Sequence, residues 1–504
     1  MRSSLTAAAA TLLRVTLAHS ASSRSDEACA VIASELPGKV AFPNSTQYAI
    51  SSNYWSDRQA EVHPACFVTP ESTEDVSDTV LLLKSIGSPF TVKSGGHTAF
   101  EGGSNIQDGI TIDLARLNEI KLSPENQTVS VGPGNRWINI SEALDPLGLA
   151  VVGGRVSDVG VSGLILGGGI SFFSGRYGWA CDNVRNFEVV LASGDVVNAS
   201  PESNTDLFWA LRGGGGSNFG IITRFDIVAF EQRDVWLNNP LYPLSPSTEL
   251  IPSFVDLAVY GLSADTDAHS FFVMTYVAEL GGYVISNYMY HATPPPTPRG
   301  TPVVFDKSAS IPGSFMNTTL VANITTHSKN INEGYGGRKA WAGTSVYLRE
   351  GSKQLLQDLV PLYRQHAEYL LEVAGKTNET VLPLFIYQPI TANILEAMQK
   401  NGGNALGLAT EEGPLVHIQV TTHWETATLN RDVESSTLKL IAQINSMAED
   451  RGLAAEYTYM NYAGRNQDVY AGYGKESHTR LAEIAHKYDP EGIFRDLWKC
   501  YFKV

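Results

Sequence analysis

Four residues, Ser94-Gly95-Gly96-His97, constrain this 504-residue chain more than any other stretch. They follow a strand-like run, Ser88-Pro89-Phe90-Thr91-Val92-Lys93. Paired glycines let a backbone bend where a side chain would clash, and they expose N–H groups to an anion. A histidine directly after such a turn stands where the phosphates and ring system of a cofactor can meet it. Alone, the motif also describes an ordinary loop histidine.

The rest of the pattern narrows the choice. Downstream come Gly163-Leu164-Ile165-Leu166-Gly167-Gly168-Gly169 and then Gly175-Arg176-Tyr177-Gly178-Trp179-Ala180-Cys181-Asp182-Asn183-Val184. A third cluster, Arg212-Gly213-Gly214-Gly215-Gly216-Ser217-Asn218-Phe219-Gly220-Ile221, follows a further strand-like run. No Gly-x-Gly-x-x-Gly follows an early strand with an acidic residue after the next one, so a Rossmann dinucleotide fold is rejected. From about Pro64 onward the ordered set resembles FAD-linked oxidases of the vanillyl-alcohol oxidase and p-cresol methylhydroxylase superfamily, in particular its berberine-bridge-enzyme-like branch. The resemblance implies an α+β architecture: a two-part FAD-binding domain of the p-cresol methylhydroxylase type, plus an α+β substrate domain with an antiparallel sheet.

Local patterns divide the chain accordingly. Residues 1–20 have a short positive start, an apolar stretch and small residues after it, as in a secretory signal peptide. Residues 21–62 read as a tether, with a helix from Cys29 to Leu36 stopped by Pro37-Gly38. Residues 63–233 form the expected FAD-binding domain, in which Ser72 caps a helix running through Ser85. Residues 234–456 form the expected substrate domain, with strands such as Ser270–Val277 and Leu415–Thr421 and helices over Gly351–Ala374 and Arg431–Asp450. Residues 457–504 return to flavin-like motifs, so the cofactor domain is expected to be discontinuous.

Charge and cysteine content bound the partners. A net charge of -16 argues against nucleic acid, whose phosphates need a basic surface. No segment is long and apolar enough to suggest a membrane span. There is no Cys-x-x-Cys, so no metal site is expected. In the family the positions of Cys29 and Cys66 are commonly tied, which implies a disulfide here and an oxidising compartment, secreted or lumenal. Cys181 and Cys500 are expected to be unpaired core thiols, Cys181 close to the cofactor. Sequons at Asn44, Asn126, Asn139, Asn198, Asn317, Asn323 and Asn378 permit glycosylation in such a compartment.

The resemblance also implies roles. His97 holds the position that carries a covalent bond to the flavin ring methyl. A second, cysteine tether occurs in some relatives; the corresponding residue here is Val156, which implies a single link and tells against a carbohydrate oxidase. Ser94, Gly95, Gly96 and Thr98 are expected to wrap the pyrophosphate, Val161, Ser162, Gly163 and Gly167 to line the isoalloxazine and ribityl chain, and Gly220 and Ile221 to face the adenine. In Tyr459-Met460-Asn461-Tyr462, Asn461 would contact the flavin and Tyr462 would take a proton from substrate. A phenol, with a usual pKa of about 10, is a poor base at neutral pH without a neighbouring cation or relay. The aspartate usual two residues further on is Gly464 here, which leaves the activation of Tyr462 open.

Gln388, Asn404, His417 and Gln419 are the candidate substrate contacts. Residues 417, 419, 421 and 423 share one strand face, and that alternation suits a solvent face as well as a substrate-facing one. The implied function is an FAD-linked oxidase taking a hydride from a small organic substrate, of secondary-metabolite type, with molecular oxygen as acceptor. A sugar or alcohol oxidase of the same fold and a non-catalytic flavin-binding glycoprotein are the alternatives.

Overall fold

A computed structural model describes residues 24–297, 300–499 and 501–504. The leader expected over 1–20 and Cys500 lie outside them. The first described element is a helix over 24–35, which carries Cys29. A disulfide joins Cys29 to Cys66 at the start of the strand Cys66–Val68, stapling this helix to the first sheet.

That sheet has four strands in the order Val40–Ala41, Cys66–Val68, Ile110–Asp113, Phe90–Lys93, the last three parallel. The helix Thr73–Ile86 covers it. Its start is fixed by a capping box between Ser72 and Asp75, and its end by Gly87 at φ 71°. Val76, Val80 and Leu83 bury against Phe90, Ile110 and Ile112, joined by Phe494 and Trp498 from the chain end. Each such side chain contributes roughly 1.5–3 kcal/mol when fully buried.

A second sheet of six antiparallel strands is built around Ile221–Glu231, which pairs with Thr128–Val131, Leu149–Val151 and Val184–Val190. The helix Gly474–Tyr488 contributes Leu481 to its core. Tail tyrosines close over the third glycine cluster: Tyr473 Oη donates to the Gly213 carbonyl and Tyr470 Oη to that of Gly214, each at 3.0 Å. Gly213 and Gly215 take φ values of 97° and 88°, which a side chain would resist.

The third sheet has eight antiparallel strands. Within it the neighbouring strands Val381–Ile390 and Leu415–Trp424 place Leu384 opposite Thr421, Ile386 opposite Gln419 and Gln388 opposite His417. Strict alternation separates its faces. Phe272, Met274, Phe385, Val416, Ile418 and Val420 pack under the helices Ser352–Thr377 and Asn430–Glu449. Phe271, Val273, Leu384, Ile386, Gln388 and Gln419 point the other way, into a cavity shared with the first two sheets. The helix expected over Gly351–Ala374 is observed over Ser352–Thr377 despite Pro361 within it. The helix Trp137–Leu144 tightens at its end into a 3₁₀ turn over Asp145–Leu147.

Candidate active site

The strand Phe90–Lys93 delivers Ser94–Thr98 to the wall of a cavity of about 440 Å³. Backbone contacts explain the glycines. A Cβ on Gly95 would collide with the Gly160 backbone, and Gly96, at φ 66°, sits against the Tyr54 ring. The close approach of residues 95 and 160 pins the first motif to the loop leading into the helix Val161–Leu166. Ser94 Oγ secures it by donating to the Pro133 carbonyl at 2.6 Å.

His97 stacks on Trp55, with ring centroids 3.8 Å apart and planes 15° from parallel, and Trp341 lies 6.0 Å away. Both its ring nitrogens are buried without a hydrogen-bond partner among the described residues. Burial first, then the charge of Arg136, pushes the imidazole down to about 3. It is therefore neutral, with a lone pair available.

Tyr462 lies across Trp341, with centroids 5.8 Å apart. Arg155 Nη2 donates to Tyr462 Oη at 3.0 Å. The same guanidinium donates through Nη1 to Gln388 Oε1 at 2.7 Å and to His269 Nε2 at 2.9 Å. It also lies 4.8 Å above the Phe271 ring. Burial, then Arg155, holds the His269 imidazole well below its ordinary range, so it accepts rather than competes as a cation.

Gly464 explains why the usual aspartate is absent. A Cβ there would stand 2.7 Å from the Trp341 carbonyl oxygen, and the Gly464 amide is tied to Gln467 Oε1 at 2.9 Å. The strand bearing Trp341 thus leaves no room for a side chain, and the group beside Tyr462 is a cation from another loop. Arg155 carries no motif of its own. Its signal was the need of Tyr462 for a nearby cation, together with its being the one cation between Arg136 and Arg176.

The other candidates divide. Ser94, Gly95, Gly96, His97, Thr98, Ser162, Gly163, Gly220, Ile221, Asn461, Tyr462, Gln388 and Gln419 all line the cavity. Val161 instead packs into the core of the second sheet. Gly167 lies behind the wall, where a Cβ would strike the Asn461 carboxamide. Asn461 is held by its Nδ2, which donates to the Leu164 carbonyl and to Tyr459 Oη, each at 3.0 Å.

His417 occupies the expected face but sits under Tyr462, with centroids 6.0 Å apart and its Nδ1 against Ser345 Oγ at 3.1 Å. Asn404 does not reach the cavity: its Nδ2 donates to Asp182 Oδ1 at 2.8 Å and its Oδ1 accepts from the Leu406 amide. The glycine-rich loop around Asn404 is thus anchored to a buried carboxylate. Cys181 is likewise a core residue beside Asp182, with Sγ 3.7 Å from Oδ1, and does not line the cavity.

Sequence reasoning missed Arg155, Trp341 and Glu333, and placed Thr421 on the shared strand face without naming it a contact; all four lie on the cavity wall. Trp341 Nε1 and Thr421 Oγ1 are buried there without partners among the described residues. Glu333 stands 3.4 Å from His423 Nε2, and burial pushes its carboxyl up to about 7 against the pull of Lys339.

These residues fit FAD. The unpaired nitrogens of His97 are suited to bonding a ring substituent. Gly163 has nothing within 4 Å of where a Cβ would project, so the cradle is open at backbone level.

Comparison with known proteins agrees. Residues 64–200 match the FAD binding domain family. The chain is 34% identical to the FAD-dependent monooxygenase tpcD of Cochliobolus heterostrophus, over 89% of this chain and 86% of that protein. It is 35% identical to FAD-dependent monooxygenase FUP4 of Fusarium proliferatum, over 88% and 86%. Among solved structures, 6-hydroxy-D-nicotine oxidase of Arthrobacter nicotinovorans shares the fold with a TM-score of 0.74 at 21% identity, covering 92% of this chain and 97% of that one. Xylooligosaccharide oxidase of Myceliophthora thermophila C1 also gives 0.74, at 22% identity over 95% and 100%. The open glycine cradle, the FAD binding domain match and these relatives together make the chain a member of the FAD-dependent oxidoreductase family to which tpcD and FUP4 belong.

Proposed function

We propose that this oxidoreductase is an oxidase that removes a hydride and a proton from a small organic substrate of secondary-metabolite type, and that molecular oxygen takes the electrons. The observation that carries the reading is the Tyr462–Arg155 contact at 3.0 Å in the cavity that also holds His97. Bound FAD supplies the hydride acceptor. Ser94, Gly95, Gly96 and Thr98 hold its pyrophosphate, Ser162, Gly163 and Asn461 its ring and ribityl chain, and Gly220 and Ile221 its adenine end, with His97 as the single covalent anchor. Val156, where a second tether would need a thiol, supports one link.

Tyr462 accepts the substrate proton at Oη. Arg155, donating to that oxygen, stabilises the phenolate that must stand there before the substrate proton can be accepted. Gln388 and His269 fix the guanidinium, so the cation is already in place beside the phenolate. Trp341 and Trp55 exclude water from His97.

We assign residues 63–233 and 457–504 to the cofactor domain and 234–456 to the substrate domain. We also place the protein in the secretory pathway. The Cys29–Cys66 disulfide and the exposed sequons at Asn44, Asn126 and Asn378 support that placement.

A second reading, insertion of one oxygen atom into the substrate, is favoured by the relatives, which are named FAD-dependent monooxygenases. The test is turnover of a phenolic, polyketide and sugar panel under labelled oxygen. The oxidase reading predicts one hydrogen peroxide per substrate and no label in the product. Label in the product with no peroxide establishes the second reading, and electron transfer to artificial dyes alone makes the protein a dehydrogenase.

A further inference from the structure

Arg155 is a cation without an acidic partner. Among the described residues its guanidinium meets no carboxylate: its acceptors are Gln388 Oε1, His269 Nε2 and Tyr462 Oη, and it lies over the face of Phe271. A guanidinium has five N–H donors, and these bonds use three. Besides His97, the cavity lining among the described residues includes one other acidic or basic side chain, Glu333, which stands 3.4 Å from His423 Nε2 and near Lys339 and makes no ion pair with Arg155. Glu333 therefore does not neutralise Arg155. A cation in a sheltered cavity is costly until an anion meets it.

The wall beside Arg155 has a defined shape. Phe271 and Tyr288 stack with centroids 4.6 Å apart and planes 15° from parallel, and both line the cavity. Val273, Leu384 and Ile386 extend the apolar surface along the same sheet face. Flat rings favour offset or edge contacts with another aromatic group. A neutral sugar brings neither countercharge nor flat face.

We propose that the site selects a planar aromatic substrate bearing an acidic group, ionised as a phenolate or carboxylate, with the charge met by Arg155 and the ring set along Phe271 and Tyr288. This rests on the oxidase reading for what happens next, but recognition of the anion does not depend on turnover.

The test is binding to the holoenzyme, read by quenching of tryptophan fluorescence, since Trp341 lines the cavity. The probes are 2-naphthoate against 2-naphthamide, and 4-nitrophenolate against 4-nitroanisole at pH 8; whichever pair shows the larger ratio identifies carboxylate or phenolate as the preferred acid. The wild-type protein is expected to bind at least one anion about tenfold more tightly than its neutral analogue, about 1.4 kcal/mol. Arg155→Gln should reduce that ratio to near one, and Arg155→Lys should retain part of it. Equal affinities within both pairs in the wild-type protein, a comparison that needs no variant, would overturn the proposal. So would an undiminished ratio in Arg155→Gln. Flavin content and peroxide release, measured on the same samples, report separately on the oxidase reading: a charge preference in a protein that releases no peroxide sinks that reading alone.

Discussion

His97 and Tyr462 border one cavity from walls built on different principles. Around His97 the neighbours are rings: Trp55 at 3.8 Å and Trp341 at 6.0 Å, with both imidazole nitrogens unpaired. Around Tyr462 the decisive neighbour is a charge, Arg155, itself held by Gln388 and His269. Burial without partners keeps an imidazole neutral and nucleophilic, whereas a fixed cation lets a phenol oxygen hold negative charge. One wall is therefore suited to forming a permanent bond and the other to moving a proton in every cycle.

If the walls work independently, their variants separate cleanly. His97→Ala should abolish acid-stable flavin altogether while leaving dissociable FAD bound in the glycine cradle, as seen by flavin release on acid precipitation. Tyr462→Phe should keep the flavin attached and lower kcat by about 10²–10⁴-fold, the usual worth of a positioned acid or base. Loss of attachment in Tyr462→Phe would show that the two walls act as one unit.

A smaller effect concerns protonation. Burial pushes His97 and His417 down to about 3, and His366 and His423 down to about 4. Their folded-state values are depressed, so the stability they contribute is present above the unfolded value of about 6.5 and is lost as pH falls toward 4 and 3. Asp182 and Glu333, raised to about 6 and 7, act in the opposite sense over part of that range. The clean readout is therefore a difference. His417→Gln should flatten the fall of stability below pH 6.5 by up to about 1.4 kcal/mol per pH unit, seen in denaturant titrations at pH 7, 6 and 5.

The last expected effect, on stability alone, belongs to a residue outside both walls. Asn404→Ala deprives buried Asp182 of a donor and should cost about 1–3 kcal/mol of stability, with substrate preference unchanged. A changed preference at constant stability would return Asn404 to the cavity.

The contrast between the walls also explains what was readable in the sequence. The cradle announced itself because close backbone approach demands glycine, and glycines cluster locally: Gly95 against Gly160, and Gly96 at φ 66°. The alternation from Leu415 to Trp424 marked one strand face but left open what that face meets; Gln419 and Thr421 meet the cavity, while His417 lies beneath Tyr462. Arg155 gave no local sign because its partners lie 114, 233 and 307 positions away. Trp55 and Trp341 were silent for the same reason, since ring stacking across sheets leaves no spacing along the chain. Asn404 misled because a glycine-rich loop reads as open, whereas its side chain is bound to a carboxylate 222 positions away.

The most direct test is a mass measurement on the proteolytic peptide that contains His97, taken from the protein after denaturation in acid. A neutral, unpaired imidazole on the wall of an FAD cavity predicts one flavin adduct on that peptide, localised to the histidine by fragmentation, and none elsewhere. An unmodified peptide from protein that had held its flavin before denaturation would contradict the account.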